Sequence, residues 1–471
     1  MCCNLARMRC TDDEPAKGVF DMVFPALALI AAASWWAPSA AHGEVGGSLS
    51  LAEAQRQALE NNPSLRGAAA RIDEARAGHL QTWAARLPSV RLSEQVVRSN
   101  DPVAAFGARL RQEAFAPQHF GLNDPDLAPL NRPGAITDFR TTLEISQPIL
   151  SLPDQLYGRR RAESGVRAAR AGLERARAQV RLQTAQAYWG LALARQALDV
   201  VQRSLETAQA HADVARAHFR QGSAPRTDVL AAEVRVAELR SEEITAANRV
   251  HEAADHLSLA MGWDPVDGLA PADTLCLRHT DAELEGLIAA ALAERSDLAA
   301  VRHQTDMARH GLAGARSGRL PQVQAFAEVA LDADSPVARQ GEHWTVGAMA
   351  TWSVFSGLQR QGEIGQARAQ LAQAEANTIA MRQRLEREVR QAYRDLDAAH
   401  SRFAVAVQAV AQAGERLRVG ELKYDEGLMS TTDLLDAETA WRHARILRLQ
   451  ALHDVSLGMA RLEFAVGRPV E

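Results

Sequence analysis

The chain has 471 residues, a formal net charge of −5 and an aromatic content of 5%. This length normally accommodates two or three domains, and the negative balance argues against a nucleic-acid partner, which usually needs a basic excess. A composition rich in Ala, Arg, Gln, Glu and Leu favours long helices packed through small side chains over one large globular core.

The N-terminal residues predict a secretory signal at 1–41. Arg7 and Arg9 precede an apolar run at 22–36, and small residues follow as far as Ala41. This order of basic, apolar and small residues predicts cleavage after Ala41. A membrane anchor is the alternative, but the run is shorter than the ~20 residues that a helix needs to span a bilayer.

The remainder of the chain repeats one pattern, so that residues 42–265 form a first repeat, 266–281 a linker and 282–471 a second repeat. At an offset of 205 positions, matching residues recur as Phe219 and Tyr424, Gly222 and Gly427, Asp228 and Asp433, Leu230 and Leu435, and Ala232 and Ala437. Nearer the start the offset is 233, as in Leu87-Pro88 and Leu320-Pro321, which places a 28-residue insertion in the first repeat. Matches at a fixed spacing indicate an internal duplication.

Each repeat predicts one helix, two strands, a very long helix and a returning helix. The predicted helices span residues 51–86, 154–220 and 227–261 in the first repeat and 282–319, 359–425 and 432–465 in the second. At ~1.5 Å per residue, the longest of them would extend about 100 Å. No single globular domain accommodates such a length, so the pattern indicates coiled-coil packing.

Four segments alternate apolar and polar residues with the period of a β-strand, at about 89–97, 136–147, 322–331 and 344–354. Each has about the 9–11 residues that a tilted strand needs to cross a bilayer. Four strands cannot close a barrel with a lumen, and an open sheet edge is not tolerated in lipid, so the chain is expected to pool strands with copies of itself. Three copies give twelve strands, an even number typical of outer-membrane barrels, although physical reasoning alone leaves two or four copies open.

The stretch KYDEGLMSTTDLLDAETA, residues 423–440, interrupts the second long helix with a glycine and a polar turn. Gly222 and Gly427 tolerate the left-handed conformation in which a helix can end and the chain can reverse. Ser430 precedes Asp433 by three residues, which is the spacing of a capping box at the start of the returning helix. Both turns are therefore predicted to be the tips of helical hairpins.

The residues YDEGLMSTTDLLDAETA resemble the helix-turn signature of the TolC family of outer-membrane efflux factors, Tyr-x-x-Gly-x-x-(Ser/Thr)-x-x-Asp-x-Leu-x-Ala. The earlier stretch NDPVAAFGARLRQEAFAPQHF, residues 100–120, resembles a loop found in a subset of that family. The resemblance implies a fold that combines α-helices with a membrane β-sheet. In that fold, a trimeric β-barrel with four strands per chain is continued by a long α-helical coiled-coil tunnel in the periplasm.

The same resemblance implies an outer-membrane channel of a tripartite efflux or type I secretion system, located in the outer membrane with a periplasmic extension. Such a homotrimer would contact outer-membrane lipid, dock a periplasmic adaptor protein and an inner-membrane pump, and export substrates passively. The alternative is a periplasmic coiled-coil adaptor or scaffold without a barrel, which the four strand segments disfavour. The substrate, whether a drug, a metal ion or a protein, stays open.

No motif in the sequence predicts an enzyme, a cofactor or a metal site. The histidines lack the spacing of a helical zinc pair within a wider ligand set, and they are expected to be solvated or packed on helix surfaces. After removal of the signal, Cys276 is the single cysteine, so no disulfide or redox pair is expected.

The resemblance also implies an acidic ring at the periplasmic entrance. Asp433 and Asp436 match the positions that form this ring, and a ring of carboxylates favours cations. The alternative is that these aspartates only offset the helix dipole, and for Asp228 the two interpretations stay evenly balanced.

In the family, links between neighbouring tips hold the entrance closed. Tyr424 matches a linking tyrosine, and Thr227 and Asp228 match its acceptor side. The basic partner falls on Met429 here, and Arg226 is the candidate that could replace it. Opening is then expected to untwist the second helical hairpin.

The insertion between the first two strands, at about 98–135, carries apolar residues at Phe106, Leu110, Phe115 and Phe120. It is either a lid or receptor site at the outer mouth, or an external loop whose apolar residues pack on the barrel rim. The second interpretation is favoured because outer-membrane barrels usually carry long external loops.

Overall fold

The computed structural model describes residues 48–120, 127–266, 268–336, 338 and 340–470, so the predicted signal at 1–41 lies outside the described residues. The helices are α1 (Leu51–Asn61), α2 (Pro63–Gln81), α3 (Pro102–Arg111), α4 (Ala128–Asn131), α5 (Arg159–Arg220), α6 (Arg226–Met261), α7 (Leu284–Glu294), α8 (Ser296–Ser317), α9 (Gln359–Asp425) and α10 (Thr431–Val466). The strands are β1 (Ser48–Leu49), β2 (Ser89–Ser99), β3 (Ile136–Leu150), β4 (Ala270–Pro271), β5 (Gln322–Ala333) and β6 (Gly341–Thr351). Short 3₁₀ helices occupy Thr82–Ala85 and Pro117–Phe120, and a π-helical turn, Pro153–Gly158, leads into α5.

The two long helices that the sequence predicts, α5 and α9, are continuous over 62 and 67 residues. Each packs against the helix that returns from its tip, α6 or α10. Small side chains line these contacts, since Ala212 and Ala215 of α5 are almost fully buried against Ala232 of α6. Such side chains let two helix axes lie close together along their length. Among the described residues, none of the helices is both long enough and apolar enough to cross a bilayer.

The predicted continuous helices at 51–86 and 282–319 are each broken at one residue, and in this respect the prediction is wrong. Asn62 separates α1 from α2, and Arg295 separates α7 from α8. Both residues have an extended backbone, with ψ of 122° and 119° respectively. Pro63 accounts for the first break, because proline disfavours helix in the residue before it.

The second break, at Arg295, has no proline. A side-chain hydrogen bond to the returning helix is present at both breaks. Asn62 donates its amide N–H to Ala260 O at 3.0 Å, and Arg295 donates Nη1–H to Ala465 O at 2.8 Å. The two carbonyls occupy equivalent positions near the ends of α6 and α10. The duplicated halves thus keep one contact while using different side chains to make it.

Tyr188 of α5 anchors the start of the described chain to the linker between the repeats. Its hydroxyl lies 2.8 Å from Leu49 O and 2.9 Å from an Asp273 carboxylate oxygen, and it accepts the Asp273 N–H at 3.0 Å. Burial raises the pKa of Tyr188 to about 12. The hydroxyl therefore stays protonated and able to donate at neutral pH.

Strands β2, β3, β5 and β6 form an antiparallel sheet in that order. They cover the first three predicted strand segments, whereas β6 ends at Thr351, so the prediction of strand at 352–354 is wrong. The two edge strands, β2 and β6, pair on one side only within the described part of the chain. One end of the sheet, here called the helix end, connects to the long helices. The opposite end, the loop end, carries the connections from β2 to β3 and from β5 to β6.

The two faces of the sheet differ in polarity. The apolar face carries Val90, Leu92, Val96, Phe139, Leu143, Ile145, Val329, Trp344 and Val346. The polar face carries Arg91, Ser93, Gln95, Asp138, Arg140, Glu144, Glu328, Asp332 and His343. Charges on the polar face pair across strands, as in Arg140 and Glu328 at 3.2 Å. Glu94 is an exception on the apolar face, where its carboxylate accepts a hydrogen bond from the Thr141 hydroxyl.

Candidate functional site at the hairpin tips

The two predicted tips have the same backbone turn. Gly222 and Gly427 both lie in the left-handed region, with φ of +77° and +72°. The Gly222 N–H donates to Phe219 O and the Gly427 N–H to Tyr424 O, each at 2.9 Å. The next N–H in each turn reaches one residue further back, to His218 O in the first tip and to Lys423 O in the second. These paired hydrogen bonds are those of a Schellman motif, which satisfies the last carbonyls of a helix.

The helices that return from the tips start differently. The Ser430 hydroxyl oxygen accepts the Asp433 N–H at 3.1 Å, so the predicted capping interaction at the start of α10 is confirmed. The same hydroxyl donates to Asp433 Oδ2 at 2.7 Å. At the equivalent position before α6 stands Pro225, whose side chain makes no cap hydrogen bond.

Thr431 connects the two tips within one chain. Its side chain is buried, and its hydroxyl donates to Asp228 Oδ2 at 2.8 Å. The same hydroxyl lies 3.4 Å from the Tyr424 hydroxyl. Two residues that the sequence singles out, Tyr424 and Asp228, are therefore brought together through a third that it does not. The repeat alignment offers a signal for it, because Thr431 falls opposite Arg226 and so marks a difference between the tips.

The aromatic ring of Tyr424 is held from the side of the first hairpin. The His218 ring lies parallel to it, with an interplanar angle of 2° and ring centroids 6.5 Å apart. Thr227, the other predicted acceptor, is exposed, and its hydroxyl lies 3.4 Å from Asp228 Oδ1. The contact between the hairpins thus runs through Asp228 rather than through Thr227.

The position of the missing basic partner is filled by packing. Met429 is half-buried, and its sulfur would lie 3.3 Å from a Cβ atom placed on Gly420. A glycine on α9 therefore provides the space for this thioether. Arg226 is exposed and forms no ion pair with any described residue, so its predicted role as the replacement base stays a prediction.

Asp433 and Asp436 are both exposed on α10, and their spacing of three residues places them on one side of that helix. Asp433 is tied to Ser430, whereas Asp436 makes no hydrogen bond or ion pair to the described residues. The two carboxylates are thus available to solvent at the tip.

A histidine and a glutamate form a second contact between the hairpins. His211 Nε2 of α5 lies 2.8 Å from Glu438 Oε1 of α10, and the Glu438 side chain is buried. The Glu438 carboxylate raises the pKa of His211, and the carboxylates of Glu421 and Asp425 on α9 act in the same direction. Histidines are expected from the sequence on solvated or packed helix surfaces, so this pair is not predicted. Its signal is a glutamate in the buried stripe of α10 that also contains Leu434 and Ala437.

No group of three or more His, Cys, Asp or Glu side chains within the described ranges is placed to hold a metal ion. Cys276 is a free, exposed cysteine. The tip therefore offers hydrogen bonds, exposed carboxylates and a side-chain contact between the two hairpins.

Comparison with known proteins agrees with this geometry. The profile of the outer membrane efflux protein family matches residues 54–263 and 287–468, one segment within each predicted repeat. The chain belongs to this family. The predicted relation to TolC-family channels is thus confirmed, together with a location in the outer membrane and a helical extension into the periplasm.

Individual relatives of this outer membrane efflux protein are distant. The outer membrane efflux protein BepC of Brucella suis is 25% identical over 252 residues, which cover 52% of this chain and 54% of BepC. The alkaline protease secretion protein AprF of Pseudomonas aeruginosa is 24% identical over 255 residues, 53% of either chain. The chain spans about half the length of the curated relatives it matches.

The fold is shared over a greater length. The crystal structure of the Campylobacter jejuni CmeC outer membrane channel superposes with a TM-score of 0.75 at 18% identity. The superposition covers 89% of this chain and 86% of CmeC. At this level of identity, the likeness establishes the fold.

Proposed function

We propose that three copies of the chain form a channel through which substrates leave the cell passively across the outer membrane. The observation that carries the proposal is the sheet of four strands, with its two open edges and two unlike faces. Neither feature is stable in a lone chain placed in lipid.

The edges argue for closure by further copies. Each unpaired backbone group of β2 and β6 would cost several kcal/mol in hydrocarbon, so these edges need partners. Pairing β6 of one copy with β2 of the next supplies them and repeats around a ring. Three copies give twelve strands, an even number typical of outer-membrane barrels.

The faces argue for lipid outside and water inside. Leu92, Trp344 and Val346 of the apolar face are 71%, 75% and 68% exposed in the single chain. Exposed apolar side chains on this scale need a covering, and lipid provides one. The polar face, with its cross-strand ion pairs, then lines the lumen.

The long hairpins would continue the lumen through the periplasm and meet a periplasmic adaptor protein bound to an inner-membrane pump. Energy would come from the pump, because the chain carries no motif for nucleotide hydrolysis. The names of BepC and AprF refer to efflux and to protease secretion, so both a tripartite efflux system and a type I secretion system fit this role. The outer-membrane location argues against a periplasmic scaffold without a barrel.

At the tips, the contacts between hairpins would hold the entrance closed. Thr431 holds Asp228 beside Tyr424, and Gly427 provides the turn about which the second hairpin would move. Arg226, exposed and unpaired among the described residues, is proposed to face a carboxylate of the neighbouring copy. Release of these contacts would widen the entrance.

Exposed carboxylates at the entrance are proposed to select cations. The double variant Asp433→Asn/Asp436→Asn should lower the cation preference of the purified protein in planar bilayers, measured as reversal potential under a salt gradient. Asp255→Asn, an exposed aspartate of α6, is the matched control and should leave the preference unchanged. Unaltered selectivity in the double variant would contradict the acidic ring.

The trimer itself is tested by mass and solubility. The mature protein is expected to need detergent, to have the mass of three chains by light scattering and to conduct ions in bilayers. A monomer that is soluble without detergent would contradict the proposed function.

A further inference from the structure

The insertion between β2 and β3 folds into a compact segment, residues 102–120, here called the insertion segment. Asp101 caps the start of its helix α3, because Asp101 Oδ1 accepts the Ala104 N–H at 2.9 Å, and Pro102 is the first residue of the helix. After α3, the Phe115 ring packs edge-on against Phe106 at 4.7 Å and against Phe120 at 4.9 Å between centroids. Three of the four apolar residues, Phe106, Phe115 and Phe120, therefore pack on one another, and the expectation that the insertion covers the barrel rim stays a prediction.

The insertion segment lies over the polar face at the loop end of the sheet. Ala105 and Ala108 of α3 are 1% and 5% exposed. Between α3 and the sheet is a cavity of about 210 Å³, lined by Gln95, Asp138 and Arg140 among others. These three strand residues all belong to the polar face.

Arg111, the last residue of α3, attaches the insertion segment to two strands. Its Nε lies 3.0 Å from Asp332 Oδ1 on β5, and its Nη2 lies 3.1 Å from Asp138 Oδ2 on β3. Asp332 is fully buried and Asp138 nearly so. Because an unpaired buried carboxylate is strongly unfavourable, this guanidinium stabilises both strand positions and the segment together.

Gln112 and Asp332 extend the attachment. The buried Gln112 amide N–H groups face Asp138 Oδ1 at 2.8 Å and Thr137 O at 3.0 Å. His343 Nδ1 of β6 lies 3.4 Å from Asp332 Oδ2, so a third strand takes part. The segment is thus fixed across the sheet rather than at its own two ends.

Gly341 lies very close to the backbone of the insertion segment. A Cβ atom at this first residue of β6 would lie 1.6 Å from Arg111 O. Any side chain there would have to displace either the backbone of the segment or the start of the strand. A substitution of Gly341 by alanine therefore displaces the segment from the sheet without changing any charge.

We propose that the insertion segment is a constriction at the exit of the channel, held closed by Arg111 on Asp138 and Asp332, and that it limits passage to small solutes. The inference rests on the proposed function, because the polar face is a lumen only if the barrel closes. Three copies of the segment would then meet at the extracellular mouth. Large cargo would pass only after the arginine leaves its two carboxylates.

The test measures which reagents reach the lumen from outside intact cells. A cysteine is placed on the polar face by Ser93→Cys, helixward of α3, in a Cys276→Ser background. The probes are a small charged methanethiosulfonate and a membrane-impermeant polymer-linked maleimide. With the segment closed, the small probe should react and the polymer probe should react slowly.

Arg111→Gln should raise the rate of the polymer probe at least about tenfold, because a buried ion pair is lost and the segment is released. Gly341→Ala should act in the same direction through steric displacement, which covers the case in which Arg111→Gln fails to reach the membrane. Arg109→Gln removes the same charge from the same helix without breaking either ion pair to the strands. In this control, the polymer probe should react with Ser93→Cys at the same rate as when Arg111, Arg109 and Gly341 are unchanged.

A separate cysteine distinguishes failure of the constriction from failure of the channel. Val96→Cys lies on the apolar face and should be protected from both probes by lipid. Suppose that Val96→Cys is protected, and that the polymer-linked maleimide reacts with Ser93→Cys at the same rate with and without Arg111→Gln or Gly341→Ala. The proposed constriction is then wrong, and the proposed channel is unaffected. If Val96→Cys reacts as fast as Ser93→Cys in native membranes, the proposed function is overturned, and the constriction with it.

Discussion

The first and second hairpin tips share one turn and differ in how their polar side chains are used. In both, a glycine with positive φ closes the same pair of hydrogen bonds at the end of a long helix. Asp228 and Asp433 occupy equivalent positions of the duplication, six residues after these glycines. Asp433 is bonded to Ser430 of its own helix, whereas Asp228 is bonded to Thr431 of the other hairpin.

The difference shows which feature of the turn a duplication has to keep. The backbone conformation depends on glycine, because a left-handed residue with a side chain is unfavourable, and so both glycines are present. The partner of the aspartate can differ, because the backbone turn does not depend on it. Asp433 stays with the cap residue Ser430, whereas Asp228, whose helix start at Pro225 has no side-chain cap, accepts the hydrogen bond from Thr431 that links the hairpins.

The largest effect is expected from Thr431→Val, which keeps the shape of the side chain and removes the hydroxyl. A hydrogen bond to a charged group contributes about 1.5–3 kcal/mol, so the closed state should lose at least a factor of about ten in population. Open probability of the purified protein in planar bilayers measures this change. Thr432→Val, at the exposed neighbouring threonine, should leave the open probability unaltered; an equal effect of both variants would show that the bridge to Asp228 is not what matters.

Glycine substitutions test whether the two turns are equivalent. Gly222→Ala and Gly427→Ala should each destabilise their hairpin by about 1–2 kcal/mol, because alanine must adopt the left-handed conformation. Neither position has a neighbouring atom that an added Cβ would meet, so sterics should add nothing. Hydrogen exchange of the tip amides measures the loss of stability in each hairpin. Losses that differ by more than about 1 kcal/mol would show that the two turns are not equivalent.

Ser430→Ala tests the difference in capping. Loss of a serine N-cap costs about 1 kcal/mol, and the first turn of α10 should exchange its amide hydrogens faster as a result. In the first tip, Ser223→Ala removes a hydroxyl that donates to His218 O and caps no helix start. Exchange at the start of α6 should therefore stay as it was, and faster exchange there would show that the caps are not the distinguishing feature.

The smallest effect is expected from the titration of His211. Glu438 raises the pKa of His211 above its unfolded value, so the protonated pair stabilises the fold fully below about pH 6.5 and less as the pH rises through the folded pKa. The imidazole is partly solvated, which keeps this contribution below about 1 kcal/mol. The melting temperature of His211→Gln, measured against the unaltered protein, should differ most at acidic pH and least above neutrality.

A second histidine supplies a control of opposite sign. Burial lowers the pKa of His453, so this residue opposes folding as the pH falls below its unfolded value. At acidic pH, His453→Gln should therefore raise the melting temperature, whereas His211→Gln should lower it. If both variants shift the acid limb of the stability curve in the same direction, the assignment of the effect to the His211–Glu438 pair is wrong.

The sequence predicts the parts of the tip that depend on neighbouring residues. Gly427, Ser430 and Asp433 lie within seven positions, and their conformations follow from local rules of helix ending and starting. Thr431 and Asp228 are 203 residues apart, and their contact depends on how two hairpins are rotated against each other. No periodicity in a single sequence specifies that rotation, so the bridge appears only in the structure.

The difference between local causes and contacts that are distant in sequence also explains which helix break and which part of the sheet region the sequence can predict. The break at Asn62 has a local cause in Pro63, whereas the break at Arg295 depends on partners elsewhere in the fold. Hydrophobic alternation predicts the two faces of the sheet, because its period needs no tertiary information. The position of α3 over the polar face depends on Arg111 meeting two carboxylates from distant strands, which the sequence alone does not reveal.

Arg295 has a mechanical consequence for the molecule. Its buried guanidinium joins Asp297 of α8, Glu388 near the middle of α9 and the carbonyls of Phe464 and Ala465 at the end of α10. Three segments are clamped at this point, so bending that begins at the tips has to be taken up along the free lengths of the helices before it. The clamp is thus a fixed point in the second hairpin: motion is expected on the tip side of it, while the end that leads into the sheet keeps its position.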